Sequence, residues 1–210
     1  MAGYTHVIWD WNGTLFDDVA WCLTRINIML EKRGLSALQS VDAYRRLFGF
    51  PVIDYYKRVG FDFDKEPFET LAAEFIALYH ADSNAGLFPQ APEILDRFQR
   101  GGIRQIILSA SEINNLTTQI KPFGIGGYFD EVLGISNVFA TGKIEIGKSY
   151  MERAQPRKAV LIGDTLHDKE VADKLGVDCV LIAKGHQGKE SLVSCGANVL
   201  DCLSELKILL

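Results

Sequence analysis

Val7-Ile8-Trp9-Asp10-Trp11-Asn12-Gly13-Thr14 is the stretch on which the fold of this chain turns. It begins as an apolar run without polar alternation and ends in a carboxylate, an amide, a glycine and a hydroxyl. Similar short runs recur at Ile103–Leu108, Glu131–Leu133, Ala159–Ile162 and Cys179–Ala183. Strands without alternation are buried on both faces, the mark of a parallel sheet. Helical patterns lie between them. Pro92 to Arg100 places Ile94, Leu95 and Phe98 on one stripe, with Pro92 near its start and Gly101 past its end. Ile144 to Gln155 stops before Pro156, and Lys169 to Leu175 before Gly176. Strand alternating with helix predicts an α/β fold, a doubly wound parallel sheet with a Rossmann-like core.

Residues 17–86 break that rhythm and show no convincing strand. Val19 to Arg33 reads as an amphipathic helix with Asp17 or Asp18 available as its cap and Gly34 after its end. Pro67 to His80 is another, and shorter helices fill Val41–Phe48 and Val52–Val59. The expected organisation is an α/β core over residues 1–16 and 87–210 and an all-helical cap over 17–86, hinged near Asp10 and Leu87–Pro92.

The composition limits the function. The chain has 210 residues, 22 Lys plus Arg and 27 Asp plus Glu, for a net charge of −5. That argues against a nucleic-acid binder, whose affinity rests on clustered cations, but a small anionic substrate needs only a local positive site. The four cysteines, Cys22, Cys179, Cys195 and Cys202, form no C-x-x-C pair, which fits a reducing compartment. No basic segment followed by an apolar one opens the chain, and no apolar run nears the ~20 residues that span a bilayer. The expected setting is cytoplasmic, with no membrane partner. Trp9, Trp11 and Trp21 read as packing residues.

Ligands of open parallel sheets bind beyond the carboxyl ends of the strands. There lie Asp10-Trp11-Asn12-Gly13-Thr14, then Ser109-Ala110-Ser111, then Gly163-Asp164-Thr165-Leu166-His167-Asp168, with Thr141-Gly142-Lys143 opening the helix before the fourth run. Clustered carboxylates require a cation, and an all-oxygen set with room for water and a phosphate suits Mg²⁺. A carboxylate can also attack phosphorus. The spread negative charge of a transferring phosphoryl group calls for Lys143, the Ser109 hydroxyl and backbone N–H groups near Gly13 and Ala110.

These four ordered motifs, with a helical insert after the first, resemble the haloacid dehalogenase superfamily, and within it the phosphatases of the phosphoglycolate-phosphatase type with a helical cap. The segment from Phe88 to Leu95 and Tyr128-Phe129-Asp130 fit the same pattern. The resemblance implies a Mg²⁺-dependent phosphatase of a small phosphorylated metabolite, phosphoglycolate-like, working through an aspartyl-phosphate. It implies Asp10 as nucleophile and metal ligand, the backbone carbonyl of Asn12 and the Asp164 carboxylate as further ligands, and Asp168 as a ligand either directly or through water. Thr14, Ser109 and the Ala110 amide would hold the phosphoryl oxygens, and Lys143 would neutralise the charge on nucleophile and phosphoryl group.

One position departs from the family. Where its phosphatases carry an aspartate as general acid and base, this chain has Asn12, whose amide has no proton to exchange near neutral pH. That help is typically worth ~10²–10⁴-fold. A slow phosphatase favouring good leaving groups, another group such as His167 or a cap residue in the role, and an engineered substitution all stay open. So does a catalytically weak phospho-ligand-binding protein. Lys143 is preferred over Lys148 as the motif lysine, because a cation at a helix start needs an anionic partner. His6 and His80 read as structural or surface residues, and for His167 and His186 the bland reading is also the heavier one. The cap cations Arg25, Arg45, Arg46, Lys57 and Arg58 read as solvated, with one or two within reach of a substrate.

Overall fold

The computed structural model describes residues 3–81, 84–135 and 142–209; Thr141 of the third motif lies outside them. In chain order the elements are β1 (His6–Trp9), β2 (Phe16–Asp17), α1 (Val19–Lys32), α2 (Val41–Leu47), α3 (Val52–Val59), α4 (Phe68–His80), β3 (Gly86–Leu87), α5 (Ala91–Arg100), β4 (Arg104–Glu112), α6 (Ile113–Ile120), β5 (Glu131–Ile135), α7 (Lys143–Ala154), β6 (Ala159–Gly163), α8 (Leu166–Leu175), β7 (Asp178–Ile182), α9 (Lys189–Leu192) and β8 (Asn198–Leu200).

Six strands form one parallel sheet in the order β5-β4-β1-β6-β7-β8. The five expected strands are all present, and β8 extends the sheet beyond them. Successive residues of a strand face opposite sides, and here both sides are apolar. Val7, Trp9, Ile107, Val160 and Ile162 pack into one core with α5 and α6. Ile8, Ile106, Leu108 and Leu161 pack into the other with α7 and α8. This two-sided burial is the reason the runs show no alternation.

β1 stands between β4 and β6, so the chain leaves it to one side and returns to the other, the place where parallel sheets open a crevice. The register pairs Trp9 with both Ile107 and Ile162. The segments following these residues, with Asp10, Ser109 and Asp164, therefore emerge side by side.

Helices α1 to α4 build a separate apolar cluster around Ile26, Met29, Leu30, Tyr44 and Leu71. The chain enters and leaves this helical insert through β2 and β3, which pair antiparallel, Phe16 with Leu87 and Asp17 with Gly86. Two residues each, these strands are too short to show a pattern in the sequence. Asp18 occupies the cap position of α1 but makes no capping bond; its carboxylate turns to the site instead. Among the described residues no helix is long and apolar enough to cross a membrane.

Candidate active site

The Trp11 carbonyl accepts from the amides of Thr14 (3.3 Å), Leu15 (3.0 Å) and Phe16 (2.9 Å), folding the chain after β1 into a tight loop. Gly13 sits at φ +73°, and a Cβ there would lie 2.3 Å from Asp164 Oδ2. Only glycine allows that approach.

Asp10, Asp164 and Asp168 converge at the strand ends, and each offers a carboxylate oxygen within 4.8 Å of the others. Lys143 Nζ bridges two of them, at 2.5 Å from Asp10 Oδ1 and 2.6 Å from Asp168 Oδ1. Lys148 is instead exposed beside Glu145 at 2.9 Å. Asp168 Oδ2 accepts from Thr165 Oγ1 (2.6 Å), Thr165 N (3.0 Å) and Asp164 N (3.2 Å), closing a capping box on α8. Asp168 thus caps a helix and anchors the lysine at once.

The three carboxylates differ electrostatically. Burial pushes Asp10 up to about 6, against the pull of Lys143. Burial also lifts Asp164 well above the ordinary range, and Asp10 and Asp168 add to the lift. Burial acts on Asp168 in the same sense, but Lys143 and Thr165 overcome it and hold the group low. Lys143 is raised despite its own burial, by Asp10 and Asp168. One ammonium facing three buried carboxylates leaves negative charge uncompensated, chiefly at Asp164. An all-oxygen donor set with surplus negative charge fits a hard divalent cation such as Mg²⁺.

A cavity of about 110 Å³ lies over this cluster, lined by Asp10, Asn12, Ser109, Ala110, Lys143 and His167 among others. Ser109 Oγ accepts from the Ser111 amide at 3.1 Å. β4 runs on through Ser109 to Glu112, with a register irregularity between Leu108 and Glu112 that re-aims the segment at the crevice. Thr14 is placed differently. Its hydroxyl lies 3.2 Å from Asp164 Oδ1 and 3.4 Å from Asp10 Oδ2, fully buried among the carboxylates.

A second network was largely hidden in the sequence. Asn12 Nδ2 donates to Asp18 Oδ2 and the Tyr79 hydroxyl, both at 2.8 Å, and Asn12 Oδ1 accepts from Ser111 Oγ at 2.9 Å. Asp18 also accepts from Gly13 N (3.0 Å) and the Tyr79 hydroxyl (2.7 Å), and pairs with His186 Nε2 at 3.1 Å. Burial would raise Asp18, but the His186 charge and these donors hold it below the ordinary range. Burial would lower His186, but Asp18 dominates and pushes it up to about 9. Asp18, Cys22 and His186 also sit close enough to hold a metal, but there the acid and the imidazole already neutralise each other.

His186 ties the cap to the core. Its amide donates to Asp164 Oδ2 at 2.5 Å, and its Nδ1 meets the Tyr44 hydroxyl at 2.9 Å. In the same loop Arg45 Nε bonds the Gly185 carbonyl at 2.8 Å and its guanidinium also reaches Lys184 O, while Gln187 Nε2 donates to Phe48 O at 3.2 Å. Arg45 is therefore a latch between cap and core. His167 stacks on Phe50 of the cap, ring centroids 4.7 Å apart, with Nδ1 3.3 Å from Glu170. His80 is exposed at the end of α4. His6 is buried at the far end of β1 with Nδ1 near the Thr5 hydroxyl. The Asp17-Asp18 pair at the start of the cap and the Gly185-His186-Gln187 loop were the only sequence signals for this network.

Comparison with known proteins gives a consistent picture. The family described as haloacid dehalogenase-like hydrolase matches residues 7–182. A phosphoglycolate phosphatase from Caulobacter vibrioides is 25% identical over 204 residues, covering 92% of this chain and 85% of that protein. The tyrosine-protein kinase PtkA of Mycobacterium tuberculosis is 24% identical over 189 residues, or 86% of this chain, which spans 62% of that longer relative. In fold, the chain superposes on a haloacid dehalogenase-like family hydrolase from Streptococcus pneumoniae with a TM-score of 0.81 at 21% identity, covering 100% of this chain and 98% of that one.

Proposed function

The chain belongs to the haloacid dehalogenase-like hydrolase family, and on that premise we propose that it is a Mg²⁺-dependent phosphomonoester hydrolase of small substrates with Asp10 as its nucleophile. The observation that carries this reading is Asp10 itself: it lies at the switch point of the sheet, bonded to Lys143 at 2.5 Å, and faces a cavity of about 110 Å³, sized for a phosphoryl group. The phosphoglycolate phosphatase named among the relatives supports the same class of reaction.

In this mechanism the phosphoryl group enters the small cavity. Ser109 and the backbone at Ala110 receive its oxygens, and Lys143 balances the charge it brings to Asp10. Asp10 attacks phosphorus, the bond to the leaving oxygen breaks, and an aspartyl-phosphate forms. Water then attacks phosphorus, releasing phosphate and restoring the carboxylate. Thr14 orients Asp10 and Asp164 from below. Asp10, Asp164, Asp168 and the Asn12 carbonyl would hold Mg²⁺, which when bound supplies electrostatic stabilisation of the transferring group. Phe48 and Phe50 of the cap line the small cavity and exclude water from it. The core over 1–16 and 87–210 carries the chemistry, and the insert over 17–86 closes over it.

Asn12 favours a second reading, a protein that binds a phosphorylated ligand with little turnover. Hydrolysis of p-nitrophenyl phosphate separates the two. Activity that disappears with EDTA and in Asp10→Ala is the expected result. Activity unchanged by either would refute the assignment of Asp10 and the metal, and tight phospho-ligand binding without turnover would establish the second reading.

A further inference from the structure

Between cap and core, next to the small cavity, lies a larger one of about 470 Å³. The two share Asn12, Phe48, Ala110 and His186, so a phosphoryl group over Asp10 would have its leaving group in the larger space. That space is walled largely by aromatic rings of the cap, among them Tyr44, Tyr55, Tyr56, Phe75 and Tyr79.

Three properties of this cavity constrain what fills it. First, no lysine or arginine is among the described residues that line it; its acidic and imidazole groups are Asp18, Glu112, His80 and His186, and His186 is already paired with Asp18 at 3.1 Å. A carboxylate on the far side of the leaving group would be desolvated here with no lysine or arginine to receive it, whereas the oxygen that leaves phosphorus emerges at the mouth shared with the small cavity. Second, its aromatic walls pack on one another, Tyr55 edge-on against Tyr44 and Phe48 with ring centroids 5.7 and 5.2 Å apart, and such walls suit a flat aromatic guest. Third, Asn12 stands where the two cavities meet and has no proton to give. An alkoxide leaves poorly without one, whereas a phenol ionises near pH 10 and departs as the anion.

Resting on the phosphatase reading above, we propose that the substrate is a phosphomonoester of a phenol-type alcohol without a charged substituent, its ring held in the aromatic cavity. Asp10 forms its bond to phosphorus, the bond from phosphorus to the phenolic oxygen breaks, and the phenolate leaves with the electron pair and takes its proton from water.

The test compares four phosphates with Mg²⁺ present: acetyl phosphate, 2-phosphoglycolate, and 2-naphthyl phosphate without a substituent or with a 6-carboxylate. Acetyl phosphate is small and activated, so it reads the phosphoryl chemistry without the large cavity. The expected order of kcat/KM puts 2-naphthyl phosphate at least ~10–100-fold above 2-phosphoglycolate, from ring burial and the better leaving group together. The 6-carboxylate, which leaves the phenolic oxygen's chemistry nearly unchanged, should cost ~10-fold or more. If acetyl phosphate is hydrolysed but phosphoglycolate or the carboxylated naphthyl ester is used as well as the plain one, the substrate class is overturned and the phosphatase reading stands. If nothing is hydrolysed, the phosphatase reading fails, and calorimetric Kd values for the two naphthyl esters and 2-phosphoglycolate decide the cavity: the same ranking supports it, and equal or absent binding overturns it.

Discussion

The Asn12 amide donates to the Asp18 carboxylate across 2.8 Å, so the residue that replaces the expected acid is built into a buried network. An aspartate at position 12 would set two carboxylate oxygens at that separation, and such a pair holds one shared proton. Asn12→Asp should therefore create a general acid. Turnover of an alkyl phosphate should rise by ~10²-fold or more, and the gain should fade as pH rises far enough to remove the shared proton. The reciprocal pair, Asn12→Asp with Asp18→Asn, should recover the stability lost to repulsion. A flat pH profile with no gain in either variant would show that the missing acid does not limit the rate.

Lys143 is the only lysine or arginine described around the small cavity, and two buried carboxylates depend on it. Lys143→Met should reduce kcat by ~10²–10³-fold, as loss of a positioned donor does. It should also destabilise the metal-free protein by about 3–5 kcal/mol, the cost of leaving buried charge unpaired. Lys148→Met breaks only the exposed pair with Glu145 and should change stability by less than ~0.5 kcal/mol. Denaturant titrations of both variants in EDTA distinguish the two lysines.

Asp164 accepts from the Thr14 hydroxyl and the His186 amide but, among the described residues, pairs with no lysine or arginine. Asp164→Asn should therefore raise the melting temperature of the metal-free protein, by removing one of three mutually repelling charges. The wild type should gain stability on adding Mg²⁺, and the variant should gain little. Melting curves with and without Mg²⁺ give both comparisons. A variant that melts lower than the wild type in EDTA would contradict the surplus-charge account.

The cap has an ionic triad of its own. Arg33 bonds Glu66 at 2.6 and 2.7 Å and Glu74 at 2.5 Å, joining the end of α1 to α4. The bond to Arg33 is the main cause holding both glutamates below their ordinary value of 4.5. Because the unfolded chain takes up these protons first, the contribution is present above about pH 4.5 and is lost as pH falls through the lower folded values. Arg33→Gln should therefore melt below the wild type at pH 6 but approach it by pH 3. An undiminished gap at pH 3 would mean that packing of the Arg33 side chain, not its charge, carries the effect.

What could be read from the sequence follows the range of the interactions. The inner strands announce themselves because both faces of the sheet are covered, so Val7–Trp9 and Ala159–Ile162 are buried and apolar throughout. Lys143 and the aspartates are legible because they sit at strand ends and helix starts. Asn198–Leu200 joins the sheet as a three-residue strand, and its partner lies in β7; so short a run has no periodicity to detect. α6 has little local signal because Asn114, Asn115, Thr117 and Thr118 are poor helix formers, and it is the Glu112 carboxylate, accepting from the amides of Asn114 and Asn115, that caps it. Asp18 resembled a cap because it immediately precedes α1. Its actual partners, Asn12, Tyr79 and His186, are up to 168 residues away, beyond any local pattern. His186 carries no local signal for the same reason.

The two-residue ladder of Phe16–Asp17 with Gly86–Leu87 pins together the two ends of the inserted helices. In polymer terms the insert is a closed loop, and closing a loop costs only about 0.6 kcal/mol more for each doubling of its length. Lengthening, trimming or rebuilding the helices between those ends leaves the register of the six-stranded sheet untouched. Chamber walls outside the Asp18–His186 network, such as Tyr56 and Phe75, can thus be changed without a direct bond to the catalytic carboxylates being lost, so the chemistry and the choice of leaving group are free to change at different rates.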